Sequence, residues 1–248
     1  MLGDDLRSID WNIYGRFDRL FVKLFEEEQD LHIYFLVDGS ASMRWKPPGA
    51  QLSKFDQARR IAAALSYVAL ANLDRVNVQW FGETLAGDLG LTRGKAQFHK
   101  VLEFLRREPE ITGPTRLKSS MKTFVQRTRR QGLVIVLSDF FDTDGFEDSL
   151  NTLKSARYDV HAIQVLDPAE LDPTHSGDLR LVEPESGETL EVMANDALLR
   201  RYRDEINGFL LTLTTFCRKH GIAYARATTA VPFEDLVLRV LRDGLMLK

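Results

Sequence analysis

The chain lacks most of the features that mark common functional classes. It has one cysteine, Cys217, among 248 residues. No internal disulfide can form, which fits a reducing compartment. Cys217 itself reads as a small buried apolar side chain on a helix. The five histidines are scattered singly, so neither a zinc site nor a Ser-His-Asp triad is indicated. No glycine-rich phosphate loop occurs. Basic residues are not in excess. The net charge of −3 gives no reason to expect nucleic acid or an anionic membrane. The longest nearly apolar run, Ile61 to Ala71, is too short to span a bilayer. The opening MLGDDLRSID has no basic region followed by an apolar one, as a secretion signal would. The expectation is a soluble, cytoplasmic chain with no membrane insertion.

What remains is ordinary globular material, 44% hydrophobic and 28% charged, long enough to bury a substantial core. The first stretch, Gly3 to Glu28, mixes charge with the aromatics Trp11, Tyr14, Phe17, Phe21 and Phe25. Phe21 to Phe25 has the pattern of a strand. These aromatics need a surface to pack on, and residues 1–30 are expected to lie against the domain that follows. Because the chain opens inside this stretch, an upstream segment is expected to exist and to add stability.

The most informative stretch is LHIYFLVDGSASM, Leu31 to Met43. An apolar run ends abruptly at Asp38 and is followed by Gly39, Ser40, Ala41 and Ser42. It reads as a buried parallel strand with polar residues just past its C-terminal end. In an open α/β sheet, ligands bind there. Gly39 is expected to give the backbone its freedom to bend. Asp38, Ser40 and Ser42 offer only oxygens, the chemistry of a hard cation such as Mg²⁺. Three readings stay open at this point. They are a solvated loop with a helix cap, an Asp nucleophile at a strand end, and a metal site completed from elsewhere.

Strand and helix then alternate. Helices are expected at Ser53 to Leu73 with Ser53 as cap, Phe98 to Arg107 with Val101, Leu102 and Leu105 inward, and Leu117 to Arg129. Others are expected at Gly145 to Ala156, Asp196 to His220, and after Pro232. Strands are expected at Val76 to Phe81, Leu133 to Leu137, Val160 to Leu166 and Ile222 to Ala227. A β-hairpin at about 178–193 interrupts the alternation. The order predicts one doubly wound, mostly parallel α/β domain over 31–248, with helices on both faces. Thr115 falls at or near a helix N-terminus, where a capping hydroxyl would account for it. Asp139 follows the strand that ends at Leu137.

Taken together, D-x-S-x-S at Asp38, Ser40 and Ser42, then Thr115, then Asp139, resembles the metal-ion-dependent adhesion site of von Willebrand factor A-type domains. Gly3-Asp4-Asp5-Leu6-Arg7, Ser8 to Asn12, Phe21 to Glu28, Lys54, and Pro232 to Leu236 are similar to the bacterial domain of unknown function family fifty-eight. Members of that family carry such a domain. The resemblance implies that Ser40, Ser42 and, as happens in part of the family's sites, Thr115 bind Mg²⁺ or Mn²⁺ through hydroxyls. Asp38 and Asp139 would act directly or through water. It also implies an open position for a partner's carboxylate, with Gly39 and Arg116 on the contact face. A MoxR-type AAA+ ATPase is the partner that the resemblance suggests. No general base or activated nucleophile is visible. The expected function is a non-enzymatic interaction module. The alternatives are a phosphatase-like hydrolase using Asp38 or Asp139, and a metal-free scaffold. Because the Asp38 turn sits at a loop edge, Asp38→Ala is expected to spare the fold.

Overall fold

A computed structural model describes residues 31–47, 49–111, 115–173, 177–182 and 187–231, with 235 and 238. The chain divides into two compact units, Met1–Asp30 and Leu31–Lys248. All described residues lie in the second. The strand expected at Phe21 to Phe25 therefore falls outside them, as does most of the helix expected after Pro232.

The central sheet runs β3–β2–β1–β5–β6–β9, with β4 also paired to β2. Its strands are β1 (His32–Asp38), β2 (Arg75–Phe81), β3 (Leu85–Asp88), β4 (Thr92–Arg93), β5 (Leu133–Ser138), β6 (Asp159–Leu166) and β9 (Ala223–Thr228). The pairs among β2, β1, β5, β6 and β9 are parallel. Only the edge strands β3 and β4 run antiparallel. β7 (Gly177–Val182) and β8 (Thr189–Ala194) form the expected hairpin, apart from this sheet. The helices are α1 (Ala41–Arg44), α2 (Lys54–Ala71), α3 (Phe98–Arg106), α4 (Leu117–Arg127), α5 (Glu147–Ser155), α6 (Pro168–Leu171) and α7 (Asp196–Lys219). Among the described residues no helix is long and apolar enough to cross a membrane.

Alternation along the strands divides the core in two. Ile33, Phe35 and Val37 join Val76, Val78 and Trp80 beneath Phe55, Ile61 and Leu65 of α2. Tyr34 and Leu36 face the other way, with Val134 and Val136, toward Met121, Phe124, Leu150 and Leu213. Every residue of β1 is buried, as a central strand covered on both faces requires. In α7 the buried residues Ile206, Leu210, Leu213 and Cys217 recur at helical spacing. Cys217 is the small core side chain expected, with its thiol pushed up to about 12 by burial.

Ser53 caps α2 in a reciprocal box with Asp56. On α3 Val101 and Leu105 are buried as expected, and Phe104 rather than Leu102 completes the inward face. Its ring lies flat on Trp80, with centroids 5.1 Å apart, and Leu102 is half-buried. The aromatic stack selects the face that packs.

Gly132, just before β5, sets how closely β5 approaches β1. A Cβ there would lie 2.1 Å from the His32 carbonyl oxygen. That neighbour is backbone and cannot swing aside. Gly132→Ala is expected to destabilise the domain by about 1–3 kcal/mol, as overpacking does. A urea midpoint equal to that of the wild type would refute this.

Candidate metal centre

The strand order reverses direction between β1 and β5, the switch point at which open α/β sheets place ligands. Register pairs Val37 with Leu137, so Asp38 and Ser138 end adjacent strands side by side. Ser138 Oγ donates to Asp38 Oδ2 at 2.6 Å, and Ser40 N donates to Asp38 Oδ1 at 3.0 Å. Asp38 is 0% exposed. It is no loop-edge residue, and Asp38→Ala would take the acceptor from both the buried Ser138 hydroxyl and the Ser40 N–H. Burial first, and then repulsion from Asp139, raise the Asp38 carboxyl from 3.8 to about 7.

Gly39 is needed for space, not for the turn. It has no left-handed conformation, but a Cβ would come 2.5 Å from Ile111 Cδ1 and 3.0 Å from Pro109 Cγ. Ser40 is the N-cap of the short helix α1, and Ser42 lies in its first turn. The two hydroxyl oxygens are 3.0 Å apart, and Ser42 Oγ reaches Asp139 Oδ2 at 3.4 Å. Met43, fully buried, holds α1 down on the core.

Asp139 follows β5 and is 1% exposed. The backbone turns sharply behind it. Phe140 is left-handed at φ 63°, and its N–H donates to Ser138 Oγ at 2.9 Å. Phe141 N donates to Asp139 Oδ1 at 3.0 Å. Gln164 of β6 donates to the Asp139 carbonyl at 3.0 Å and accepts from Tyr224 of β9 at 2.7 Å. A left-handed non-glycine residue costs roughly 1–2 kcal/mol. The hydrogen bonds around it hold Asp139 in place.

Thr115 is buried at 4% exposure, but it does not cap α4. The cap position is Arg116, without a side-chain bond. The first helical N–H, Leu117 N, donates instead to Asp142 Oδ2 at 2.6 Å. Asp142 therefore ties the Thr115 loop to the loop after β5. Arg116 Nη1 lies 3.3 Å from Asp144 Oδ2, both side chains half-exposed. A rim carboxylate thus offsets the charge that Arg116 was expected to offer a partner.

Sequence reasoning cited Lys54 only for its likeness to the family, and missed Ser138, Asp142, Gln164 and Glu170 as parts of the site. Lys54 Nζ lies 2.7 Å from Asp139 Oδ2 and 2.5 Å from Glu170 Oε1. Burial would lower its pKa, but the two carboxylates outweigh that and hold it raised. Burial pushes Glu170 up despite its lysine neighbour. Lys54 is the first residue of α2 and Glu170 the third of α6, and a capping box starts each helix. That capping signal was the one local clue that these side chains are held near strand ends.

Among the described residues no three His, Cys, Asp or Glu side chains gather around one point. The oxygens that the structure brings together are mixed, with carboxylates from Asp38 and Asp139 and hydroxyls from Ser40 and Ser42, while Thr115 lies buried on the loop that Asp142 ties to the end of β5. An all-oxygen set at a sheet switch point fits a hard divalent cation. With all three carboxyls ionised, Asp38, Asp139 and Glu170 against Lys54 leave two formal negative charges, which one such ion would balance.

The family model described as "Protein of unknown function DUF58" matches residues 1–207. The chain belongs to the DUF58 family. An uncharacterized protein of Mycobacterium tuberculosis is 28% identical over 203 residues, covering 79% of this chain and 62% of its own length. A counterpart in Mycobacterium bovis matches to the same extent. The DUF58 chain thus spans 62% of the length of the curated relatives it matches. Among solved structures, BatB from Bacteroides thetaiotaomicron matches with a TM-score of 0.53 at 12% identity, covering 87% of this chain and 99% of that one. An aerotolerance-related membrane protein from Bacteroides fragilis matches with a TM-score of 0.55 at 15% identity, covering 86% and 97%. These likenesses show the fold: a DUF58 domain of von Willebrand factor A type.

The raised Asp38 carboxyl has a consequence for metal-free protein. Between about pH 4 and about pH 7 the folded chain holds a proton on Asp38 that the unfolded chain has released. Stability must therefore fall as pH rises through that window. Urea midpoints measured in EDTA across it should show the decline in wild type and a flatter profile in Asp38→Asn. Equal slopes in the two proteins would contradict the assignment.

Proposed function

We propose that this DUF58 domain is a metal-ion-dependent protein-interaction module and not an enzyme. Asp38, Ser40, Ser42, Thr115 and Asp139 would hold Mg²⁺ or Mn²⁺. When bound, the ion supplies a Lewis-acidic position that attracts an anionic oxygen. The observation that carries this reading is the meeting of Ser40 Oγ, Ser42 Oγ and Asp139 Oδ2 in one hydrogen-bonded cluster beside the buried carboxylate of Asp38.

The chain's own residues then have distinct tasks. Ser138 and the Ser40 N–H hold the Asp38 carboxylate from behind. The Phe141 N–H and Lys54 hold Asp139. Asp142 holds the Thr115 loop at the site's edge. The hydrolase alternative asks Asp38 or Asp139 to attack or to take a proton. Both are buried and both carboxylate oxygens of each accept hydrogen bonds, which favours a holding role over a reacting one.

The incoming group is a Glu or Asp of a partner, the commonest anionic oxygen on a protein surface. The contact face would be the Asp38 turn and the Thr115 loop, including Gly39 and Arg116. A MoxR-type AAA+ ATPase is the leading candidate through the family resemblance, in the cytoplasm. A pull-down of that ATPase should need Mg²⁺, fail in EDTA, and weaken by about tenfold or more in Thr115→Ala or Ser42→Ala, each the loss of one ligand. Arg116→Ala should mainly change salt dependence and association rate. Binding that survives EDTA unchanged would overturn a metal-bridged contact.

A further inference from the structure

Lys54 stands outside the proposed ligand set, yet it lies within hydrogen-bond reach of it. It opens α2 and its side chain runs inward to 1% exposure, among the largest fully buried side chains of the chain. Nζ lies 2.7 Å from Asp139 Oδ2, the same oxygen that Ser42 Oγ reaches. The other oxygen, Oδ1, is taken by Phe141 N. The carboxylate oxygen facing the serines is thus the one the ammonium holds. The ring of Phe141, with its centroid 5.7 Å from Nζ, covers another side.

The ammonium is also anchored from outside the site. Its second partner is Glu170 Oε1. Glu170 Oε2 in turn accepts from Asp167 N at 2.9 Å. Asp167 is held by Thr229 Oγ1 at 2.6 Å, just past β9. A lysine bound only to Asp139 could swing away when a metal entered. One bound to Glu170 as well is kept in place by the β6 and β9 ends.

We infer that Lys54 is a positioning residue that withholds Asp139 from direct ligation, so that a bound divalent ion keeps one more position open for water or a partner's carboxylate. This rests on the metal-centre reading. Two cations compete poorly for one carboxylate oxygen in a buried site, because repulsion between them is little screened. With Asp139 engaged by Lys54 and acting on the ion through water, the remaining direct donors are Asp38 and hydroxyls. A shell so poor in charge leaves the ion electrophilic toward an incoming carboxylate.

The test uses Mn²⁺ alone as probe on the intact chain, with calorimetry for affinity and ¹⁷O-water electron spin resonance for the number of bound waters. Lys54→Met should bind Mn²⁺ about tenfold or more tighter and lose one bound water, as Asp139 moves onto the ion. Lys54→Arg, which keeps the charge, should retain the wild-type water count. If Lys54→Met does not fold, Lys54→Met with Glu170→Gln removes one charge of each sign together and should show the same loss of a water. Unchanged affinity and water count in these variants would overturn the inference. Wild type that binds no Mn²⁺ would overturn the metal-centre reading. Lys54→Met then still decides the lysine's role, because a gain of binding supports competition by the ammonium and continued absence overturns it.

Discussion

The site depends on two carboxylates buried at the ends of neighbouring strands. Asp38 and Asp139 lie at the ends of β1 and β5, the two parallel central strands between which the strand order changes direction. Both are inaccessible to water. A bare carboxylate in such a place is costly unless hydrogen bonds or opposite charge compensate it. Much of the surrounding architecture supplies that compensation. Ser138 and the Ser40 N–H serve Asp38, while Lys54 and the Phe141 N–H serve Asp139. The compensation is incomplete, because the local balance stays negative and the Asp38 carboxyl is raised to about 7. Incomplete compensation is what would make the site receptive to a cation.

The same pair constrains the frame. Parallel pairing in register puts Ser138 beside Asp38. At the other end of the same two strands, Gly132 leaves room for the His32 carbonyl oxygen, which an added Cβ would meet at 2.1 Å. Gly39 lets the 109–111 segment lie directly over the turn. Glu170 and Gln164 bring β6 into the same network, Tyr224 joins it from β9, and Thr229 extends it to the residue just past the end of β9. Four strand ends are thereby tied to one small volume, which keeps a site built from short side chains rigid.

Much of this was legible in the chain itself. The run from Ile33 to Val37 and the run from Leu133 to Leu137 are apolar throughout because both faces of their strands are covered. Their abrupt endings at Asp38 and Asp139 locate the sheet edge. The alternation of strand and helix was enough for the fold class, and the hairpin emerged from its own turn residues. Periodicity could not show which residues meet across long sequence separations. Lys54 looks like any charged helix start, yet it turns inward because two acids 85 and 116 residues away meet it there. Thr115 looked like a cap, but the cap came from Asp142 on another loop. Gly39 looked like a turn residue, and its role is to leave room for Ile111. In each case the deciding neighbour is a tertiary one.

The central claim is that these oxygens form one divalent-cation site. Crystals soaked in Mn²⁺ and measured at the manganese absorption edge test it most directly. The account predicts a strong anomalous peak within coordination distance of Ser40 Oγ and Ser42 Oγ, beside Asp38, with the Lys54 ammonium still on Asp139. An anomalous map with no peak there, or with its peak elsewhere on the surface, would contradict it.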